Sequence, residues 1–248
     1  MARCEYKYYL ERRHLDNLRK DILPFLTYDR YTQHLKKKEY TVRSIYFDSN
    51  DFAIYNEKLD GIRDRNKYRI RGYNQLREDS RVFLEIKRKE VDRVSKDRAP
   101  LYYRNLDAFL KTKQYDLLLS PDDATQAAEA KASARNFLYY FFTLHLQPVS
   151  LINYEREAFE CRFGTGLRIT FDKNIRTRIV RSTSDLFVDE PMVNTFEDII
   201  VLEIKFNKIV PAWVPSVMNR YNIIQDSISK YSGSIDISHL HTLNRFLF

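Results

Sequence analysis

Residues 67–71 of the chain read KYRIR and residues 82–89 read VFLEIKRK, and both stretches alternate between two kinds of side chain. In the first, a basic residue occupies every second position, with Tyr or Ile between. In the second, Glu85, Lys87 and Lys89 alternate with aliphatic residues as far as position 86. Side chains two positions apart in a β-strand point to the same face. These stretches therefore predict two strands, each with a charged face and an apolar face.

The same period of two recurs in four further runs, at residues 3–9, 153–158, 167–172 and 202–207. On most alternating strands the polar face simply meets water, as in an ordinary sandwich, and that interpretation is open here. Two features favour another interpretation. The polar faces carry mostly Arg, Lys and Glu, and their basic residues recur from strand to strand. This pattern indicates charged faces that converge on one region.

Three stretches between the strands have apolar residues at helical spacing and predict helices. The first covers residues 10–26, the second runs from a Ser49 cap to Gly61, and the third starts at Ser120 and ends in the aromatic cluster of residues 137–142. If these helices cover the apolar faces of the strands, the charged faces turn inward, and closure of the sheet removes its edges. We therefore expect an α+β fold, an antiparallel β-barrel tunnel with helices packed on the outside.

The composition suits one domain with an anionic partner. The chain has 248 residues, of which 44% are hydrophobic, and a formal net charge of +8, so we expect residues 1–248 to form a single domain. The charge favours nucleic acid, an anionic membrane or a phosphorylated metabolite. No apolar run approaches the roughly 20 residues of a membrane span. No secretory signal is visible either, so we expect a soluble, cytoplasmic protein without a membrane span.

A channel lined with cations is costly unless water or a polyanion neutralises it. Arg binds two phosphate oxygens with its planar fork, and Lys adds a mobile point charge. The alternation thus predicts a channel that binds phosphate groups. Glu5, Glu85 and Glu203 lie among these cations. Each either holds a cation in place through an ion pair or, together with phosphate oxygens, helps to bind a divalent metal; both readings are open.

Eight segments resemble, in order, the polyphosphate polymerase domain of the vacuolar transporter chaperone family, and the resemblance covers essentially the whole chain. The segments are Arg3-x-Glu5-x-Lys7, VRSIYFD at 42–48, Lys67-x-Arg69-x-Arg71, LEIK at 84–87, Tyr154-x-Arg156, LRITFD at 167–172, LEIK at 202–205 and SKY at 229–231. One such segment alone would be weak, whereas eight in sequence are specific.

This resemblance implies a triphosphate tunnel fold that binds ATP and transfers its γ-phosphoryl group to a growing chain of inorganic polyphosphate. By motif, the expected catalytic residues are Arg69, Arg71, Lys87, Arg156 and Arg168. Further expected phosphate-binding residues are Lys7, Arg43, Lys205 and Lys230. The resemblance also implies a metal ligand at Glu203 and Mn²⁺ or Mg²⁺ as the cofactor. ATP and inorganic polyphosphate are then the expected ligands, and nucleic acid is not.

Two departures from related patterns bear on the function. Tunnel-fold triphosphatases and class IV adenylate cyclases carry Glu-x-Glu-x-Lys on the first strand, whereas Arg3 takes the first acidic position here. The loss of a carboxylate argues against a hydrolase, because activation of water usually requires more carboxylates. A triphosphatase and a non-catalytic polyphosphate- or nucleotide-binding module remain the alternatives. The membrane helices of eukaryotic members have no counterpart in this sequence, so a separate membrane protein is a candidate partner.

Overall fold

The computed structural model describes residues 3–90, 93–120 and 123–238. The strands are β1 (Arg3–Glu11), β2 (Leu26–Tyr28), β3 (Tyr40–Asp48), β4 (Arg65–Tyr73), β5 (Arg81–Glu90), β6 (Arg93–Tyr102), β7 (Gln147–Cys161), β8 (Arg168–Ile179), β9 (Val193–Asn194) and β10 (Ile199–Phe206). The helices are α1 (Leu15–Ile22), α2 (Ala53–Leu59), α3 (Leu106–Thr112), α4 (Ala124–Thr143), α5 (Trp213–Arg220) and α6 (Lys230–Ser238).

Eight of the strands pair antiparallel in a closed ring, in the order β7-β3-β4-β5-β6-β1-β10-β8. The pairing of β8 with β7, from Ser150↔Ile179 to Glu160↔Arg168, completes the circle. The short strands β2 and β9 extend the sheet beside β7 and β8. The predicted antiparallel tunnel with external helices is therefore confirmed.

The apolar faces of the strands point outward and are covered by the helices. On one side α4 packs against the sheet, with Phe137 edge-on to Phe47 of β3 at 6.0 Å between ring centroids. On the other side α1 and α5 share a core with the outward residues of β10, among them Leu202 and Ile204. Trp213 of α5 stacks on Phe25 at 4.4 Å. Helices thus cover the outward surface of the ring on two sides with apolar side chains. The charged faces of the strands therefore point to the interior of the ring.

The first predicted helix is wrong at both ends. Leu10 belongs to β1, where it pairs with Ile200 of β10, and α1 begins only at Leu15. Leu26 starts β2. The hydrogen bonds available from β10 outweigh the helical spacing of the leucines, since local propensity yields to tertiary pairing.

The ends of the other two predicted helices need smaller corrections. The hydroxyl of Ser49 accepts a hydrogen bond from Ala53 N (3.1 Å), yet the carboxylate of Asp48 holds the next two amides of α2. Helix α4 is capped by Asp123, whose side chain accepts from Gln126 N (2.8 Å). Ser120 therefore precedes the helix, and Pro121 lies outside the described residues.

Strand β6 was not predicted, because its sequence RVSKDRAPLY breaks the alternation. Charged side chains occupy both of its faces, and Pro100 stands near its end. Its register with β5 over ten residue pairs nevertheless makes it a full member of the ring. Within the described ranges, no helix combines the length and the apolar character that a membrane crossing requires.

Candidate polyanion-binding cavity

Residues of β1, β3, β4, β5, β6, β7 and β10 line a cavity of about 390 Å³ inside the ring. The segment that leads into α6, from Gln225 to Ser229, forms part of its wall. Ten basic residues line the cavity: Lys7, Arg65, Lys67, Arg69, Arg71, Lys87, Lys89, Arg156, Lys205 and Lys230. The acidic residues of the lining are Glu5, Glu203 and Asp226. Such a surplus of positive charge in an enclosed space suits a polyanion.

Eight of the ten site residues expected from the sequence lie at this cavity. They are Lys7, Arg69, Arg71, Lys87, Arg156, Glu203, Lys205 and Lys230. Their convergence follows from strand register, since Lys7 stands opposite Glu203 and Arg69 opposite Glu85 in neighbouring strands. The positions of these side chains agree with the alternation, while their roles remain predictions.

Arg43 and Arg168 do not line the cavity. Arg43 lies on the outward face of β3, where its Nη2 donates to Asp189 Oδ1 (2.5 Å) and its Nε to a backbone carbonyl. Arg168 donates from Nη2 to Oδ2 of the buried Asp29 (2.7 Å). Each guanidinium is thus bound by a carboxylate from a loop and lies outside the cavity lining, and the roles expected for both residues from the motif remain predictions.

Glu85 acts as an ion-pair partner within the wall. Its fully buried carboxylate accepts from Arg69 Nε at 2.8 Å and lies 3.1 Å from Lys96 Nζ and from Arg98 Nε. Burial disfavours its ionised form, yet Arg69 and its cationic neighbours hold the pKa of Glu85 well below its usual value. Glu85 therefore orients Arg69 and is not exposed to the cavity.

A second carboxylate cluster orients Arg156 and Lys230. Asp172 accepts from Arg156 at 2.6 and 2.7 Å and lies 2.6 Å from Lys230 Nζ. Glu203 accepts from the same Lys230 Nζ at 2.9 Å and contacts Lys205 Nζ at 3.2 Å. Burial opposes the charge of Glu203, but Lys230 and Lys205 hold its pKa well below the usual range. These contacts fix two cations in one place before any ligand arrives.

The carboxylates that could take part in metal binding are Glu5 and Glu203. Both contact Lys205 Nζ, at 3.4 Å from Glu5 Oε2 and 3.2 Å from Glu203 Oε2, so they flank one point of the cavity. Residues 3–90, 93–120 and 123–238 hold no group of three or more His, Cys, Asp or Glu side chains that could bind a metal by themselves. A divalent ion held by one or two carboxylates and phosphate oxygens fits this arrangement.

Tyr46 and Tyr154 also line the cavity, although neither was among the expected site residues. The Tyr46 hydroxyl oxygen accepts from Arg69 Nη1 (2.8 Å), which leaves its proton available to a ligand. Burial raises its pKa, but Arg69 and Arg71 outweigh burial and lower the pKa of Tyr46 to about 8. Tyr154 accepts from Arg71 Nη2 (3.2 Å). Tyr154 shares a face with Arg156 in the alternating run 153–158, whereas Tyr46 lies in the stretch VRSIYFD, which does not alternate and gave no signal.

Lys67 completes the lining beside these tyrosines. Its Nζ donates to Ser229 Oγ (2.5 Å). Burial and the nearby cations, Lys7 and Lys87 first among them, hold the pKa of Lys67 well below its usual value. A bound anion would favour the charged form of Lys67 and raise its pKa.

The comparisons with known proteins agree with this description. The family model described as the VTC domain matches residues 2–239. Subunit 4 of the vacuolar transporter chaperone complex of Trypanosoma brucei brucei is 26% identical over 234 residues, which cover 81% of this chain and 29% of that protein. Subunit 4 of Schizosaccharomyces pombe is 23% identical over 248 residues, 86% of this chain and 33% of that protein. The chain thus spans about a third of the length of these relatives or less.

A solved structure shares the fold. A crystal structure from Bacillus halodurans, of a protein proposed to be an adenylate cyclase, superimposes with a TM-score of 0.50 at 11% identity. The superposition covers 92% of this chain and 93% of the other. At this identity the likeness shows the triphosphate tunnel fold alone and carries no statement about activity.

Proposed function

This chain belongs to the VTC domain family, and we propose that it is an ATP-dependent polyphosphate polymerase, with ATP and inorganic polyphosphate as its ligands. The observation that carries the proposal is the cavity, where ten basic side chains face three acidic ones inside a closed ring. An enclosure of this kind admits a thin, highly charged chain and excludes a folded nucleic acid.

In the proposed reaction, an oxygen of the terminal phosphate of polyphosphate attacks the γ-phosphorus of ATP. The bond from that phosphorus to the β,γ-bridging oxygen breaks, and ADP leaves with the electron pair. Because the nucleophile is already an oxyanion near neutral pH, no general base is needed. Catalysis then rests on alignment and neutralisation of charge.

The oriented cations would supply that alignment. Arg69, Arg71, Lys87 and Arg156 would hold the β- and γ-phosphates, and Tyr46 would donate its hydroxyl proton to a phosphate oxygen. The lysines Lys7, Lys205 and Lys230 would guide the incoming chain. Arg43 and Arg168 are left out of this set, because neither lines the cavity.

Mn²⁺ or Mg²⁺ remains the proposed cofactor, with Glu203 as its ligand and Glu5 as a second carboxylate within reach of the same lysine. When bound, the divalent ion would neutralise part of the negative charge on the phosphate oxygens. The two carboxylates would give up their contacts with Lys205, which frees that cation to bind the chain.

The wider setting is proposed from the relatives. They are named as subunits of a vacuolar transporter chaperone complex, so we propose that this chain works with other proteins, including a separate membrane protein. A cytoplasmic location and a single domain over residues 1–248 belong to the same proposal.

Lys205→Ala tests the proposed function. Its side chain is partly exposed, at 28%, so the substitution spares the core. The measurement is incubation of the purified protein with γ-labelled ATP and Mn²⁺ or Mg²⁺, followed by electrophoresis of the products. We expect a ladder of labelled polymer that an exopolyphosphatase destroys, and a loss of about 10²-fold in its rate of formation in the variant.

The matched control is Lys131→Ala, which removes an exposed lysine from α4 far from the cavity lining; it should leave the rate unchanged. Release of labelled orthophosphate without a ladder would replace the polymerase by a triphosphatase. Unchanged ATP with retained binding of polyphosphate would leave a non-catalytic binding module.

A further inference from the structure

Like charges face each other directly across the pairing of β4 with β5. Lys67 stands opposite Lys87, and one step further out Arg65 stands opposite Lys89. Like charges in directly opposed positions destabilise a sheet. The deeper pair in the same two strands, Arg69 opposite Glu85, is compensated. The outer pairs therefore form two successive rows of cations. Lys87 Nζ donates to Glu5 Oε1 (2.7 Å), which compensates part of the charge of the inner row. An anion beside Arg65 and Lys89 would relieve the repulsion in the outer row.

These rows lead out of the cavity into a second groove of about 500 Å³, which we call the side groove. Its lining consists of Lys58, Gly61, Ile62, Arg63, Arg65, Lys89 and Ser227. Arg65, Lys89 and Ser227 also line the cavity, so the two spaces adjoin. Four of the seven lining residues are basic and none is acidic.

The cations of the side groove lack the carboxylate partners that the deep cations have. Within the described part of the chain, Lys58, Arg63, Arg65 and Lys89 take part in no ion pair, whereas Arg69, Arg156 and Lys230 each contact a buried carboxylate. Arg65 donates from Nη1 only to Ile62 O (3.0 Å). The nearby acidic groups are Asp60 and Asp64, which lie in the same segment as Lys58, Arg63 and Arg65, together with Glu57 of α2 and Asp226 at the cavity wall. None of them lies in the lining of the groove.

We propose that the side groove is a second binding segment for linear polyphosphate, which takes up the phosphate residues that extend beyond those held in the cavity. Rows two residues apart along a strand lie about 7 Å from each other, so the cations of Lys67 and Lys87, then Arg65 and Lys89, then Lys58 and Arg63 form a path out of the ring. A chain with repeating charge can follow such a path, and a triphosphate is too short to reach its end. This inference rests on the proposed polyphosphate-binding function and specifies where the chain leaves the cavity.

The test compares a short and a long ligand in binding experiments without ATP or metal. The double variant Lys58→Ala/Arg63→Ala removes two side chains of the groove that lie outside the cavity lining. We expect its affinity for polyphosphate of about 60 phosphates to fall about tenfold at 0.15 M salt, and its slope of log affinity against log salt to fall by about 2. Its affinity for tripolyphosphate should change by less than about twofold.

Two controls separate the groove from general charge effects. Lys111→Ala/Lys131→Ala removes two charges from exposed positions of α3 and α4 and should alter neither affinity. The exchange Lys58→Arg/Arg63→Lys keeps both charges and should restore binding of the long chain. Equal losses for both ligands, no loss for either, or the same loss for a single-stranded RNA would overturn the inference.

Failure of this inference is distinguishable from failure of the proposed polymerase. If the purified protein makes no polymer but binds the long chain through Lys58 and Arg63, the inference about the side groove holds and the proposed polymerase activity is wrong. If it makes polymer and the double variant binds both ligands as the original protein does, the inference about the side groove is wrong and the proposed polymerase activity holds.

Discussion

At the scale of single residues, the inward cations form two groups, those with an ion-pair partner and those without one among the described residues. Arg69 with Glu85 and Arg156 with Asp172 form buried pairs. Buried pairs of this kind are a weak source of net stability but fix geometry, and removing one partner is costly. Lys67 has no such partner among the described residues, and its ammonium group is the one that burial and neighbouring cations disfavour most clearly. The paired cations are thus prearranged, and the unpaired ones respond to a ligand.

The first residue-scale prediction is a fall in affinity for tripolyphosphate above about pH 8. Burial, opposed by Glu5, lowers the pKa of Lys87 to about 8, and the pKa of Tyr46 is also about 8. Above that pH the first group loses a positive charge and the second gains a negative one. Both changes disfavour a bound polyanion, so we expect the affinity to fall about tenfold between about pH 7 and pH 9.

Calorimetric titrations over this pH range measure the effect. Lys87→Arg keeps its charge throughout, and Tyr46→Phe keeps the ring that stacks on Tyr231 but cannot ionise. The double variant should lose most of the fall between about pH 7 and 9, and the part that remains belongs to Lys67, whose pKa is also lowered. A double variant that shows the full pH dependence of the original protein would contradict the assignment to Lys87 and Tyr46.

At the scale of elements, α2 is anchored by a residue of the preceding strand. Phe52, directly before α2, has a left-handed backbone conformation (φ 56) and provides no side-chain cap. Asp48, the last residue of β3, accepts instead from Ile54 N (2.9 Å) and Tyr55 N (3.0 Å). It also accepts from the hydroxyl of Tyr231 in α6 (2.5 Å). One buried carboxylate therefore joins a strand and two helices beside the cavity.

We predict that Asp48→Ala lowers the free energy of unfolding by about 3 kcal/mol, because it leaves buried donors of α2 and α6 without an acceptor. Urea denaturation followed by circular dichroism measures the change. Asp51→Ala is the matched control, since Asp51 is exposed and accepts only from the Ser49 hydroxyl among the described contacts of its side chain; it should cost less than about 0.5 kcal/mol. Equal losses in the two variants would show that the anchoring does not matter.

At the scale of the whole molecule, the strand pairings that close the ring differ in length. Strand β1 pairs with β10 over eight residue positions, from Cys4↔Phe206 to Glu11↔Ile199. On its other side, within residues 3–90 and 93–120, it pairs with β6 at two positions, Arg3↔Val94 and Cys4↔Arg93. Strand β7 lies between long pairings with both β3 and β8. Among the described residues, the junction of β1 and β6 is therefore the shortest-paired seam of the ring.

Amide hydrogen exchange followed by mass spectrometry tests this seam. Opening requires the loss of few hydrogen bonds there, so peptides from β6 should exchange about tenfold faster than peptides from β7, which serves as the internal reference. Exchange that is as slow in β6 as in β7 would mean that the ring opens only on global unfolding.

The sequence by itself determined which strands have a charged face and which stretches cover them. The period of two is a local property of an extended chain, so the runs around Lys67, Lys87, Arg156, Arg168 and Glu203 could be assigned to strands without further knowledge. The family resemblance named ten site residues, and eight of them line the cavity. The period of two did not predict β3, which lacks the alternation, β6, whose charges lie on both faces, or the end of β1 at Glu11.

The tertiary structure alone decided how the charges are partnered. Asp29 and Asp189 lie in loops with no periodic pattern, yet they bind Arg168 and Arg43. Packing of α6 against β7 and β8 brings Lys230 to Asp172, more than 50 residues away along the chain. Which cation is paired and which awaits an anion depends on contacts between residues far apart in sequence. A local pattern fixes the direction of a side chain, and only the closed ring fixes what that side chain meets.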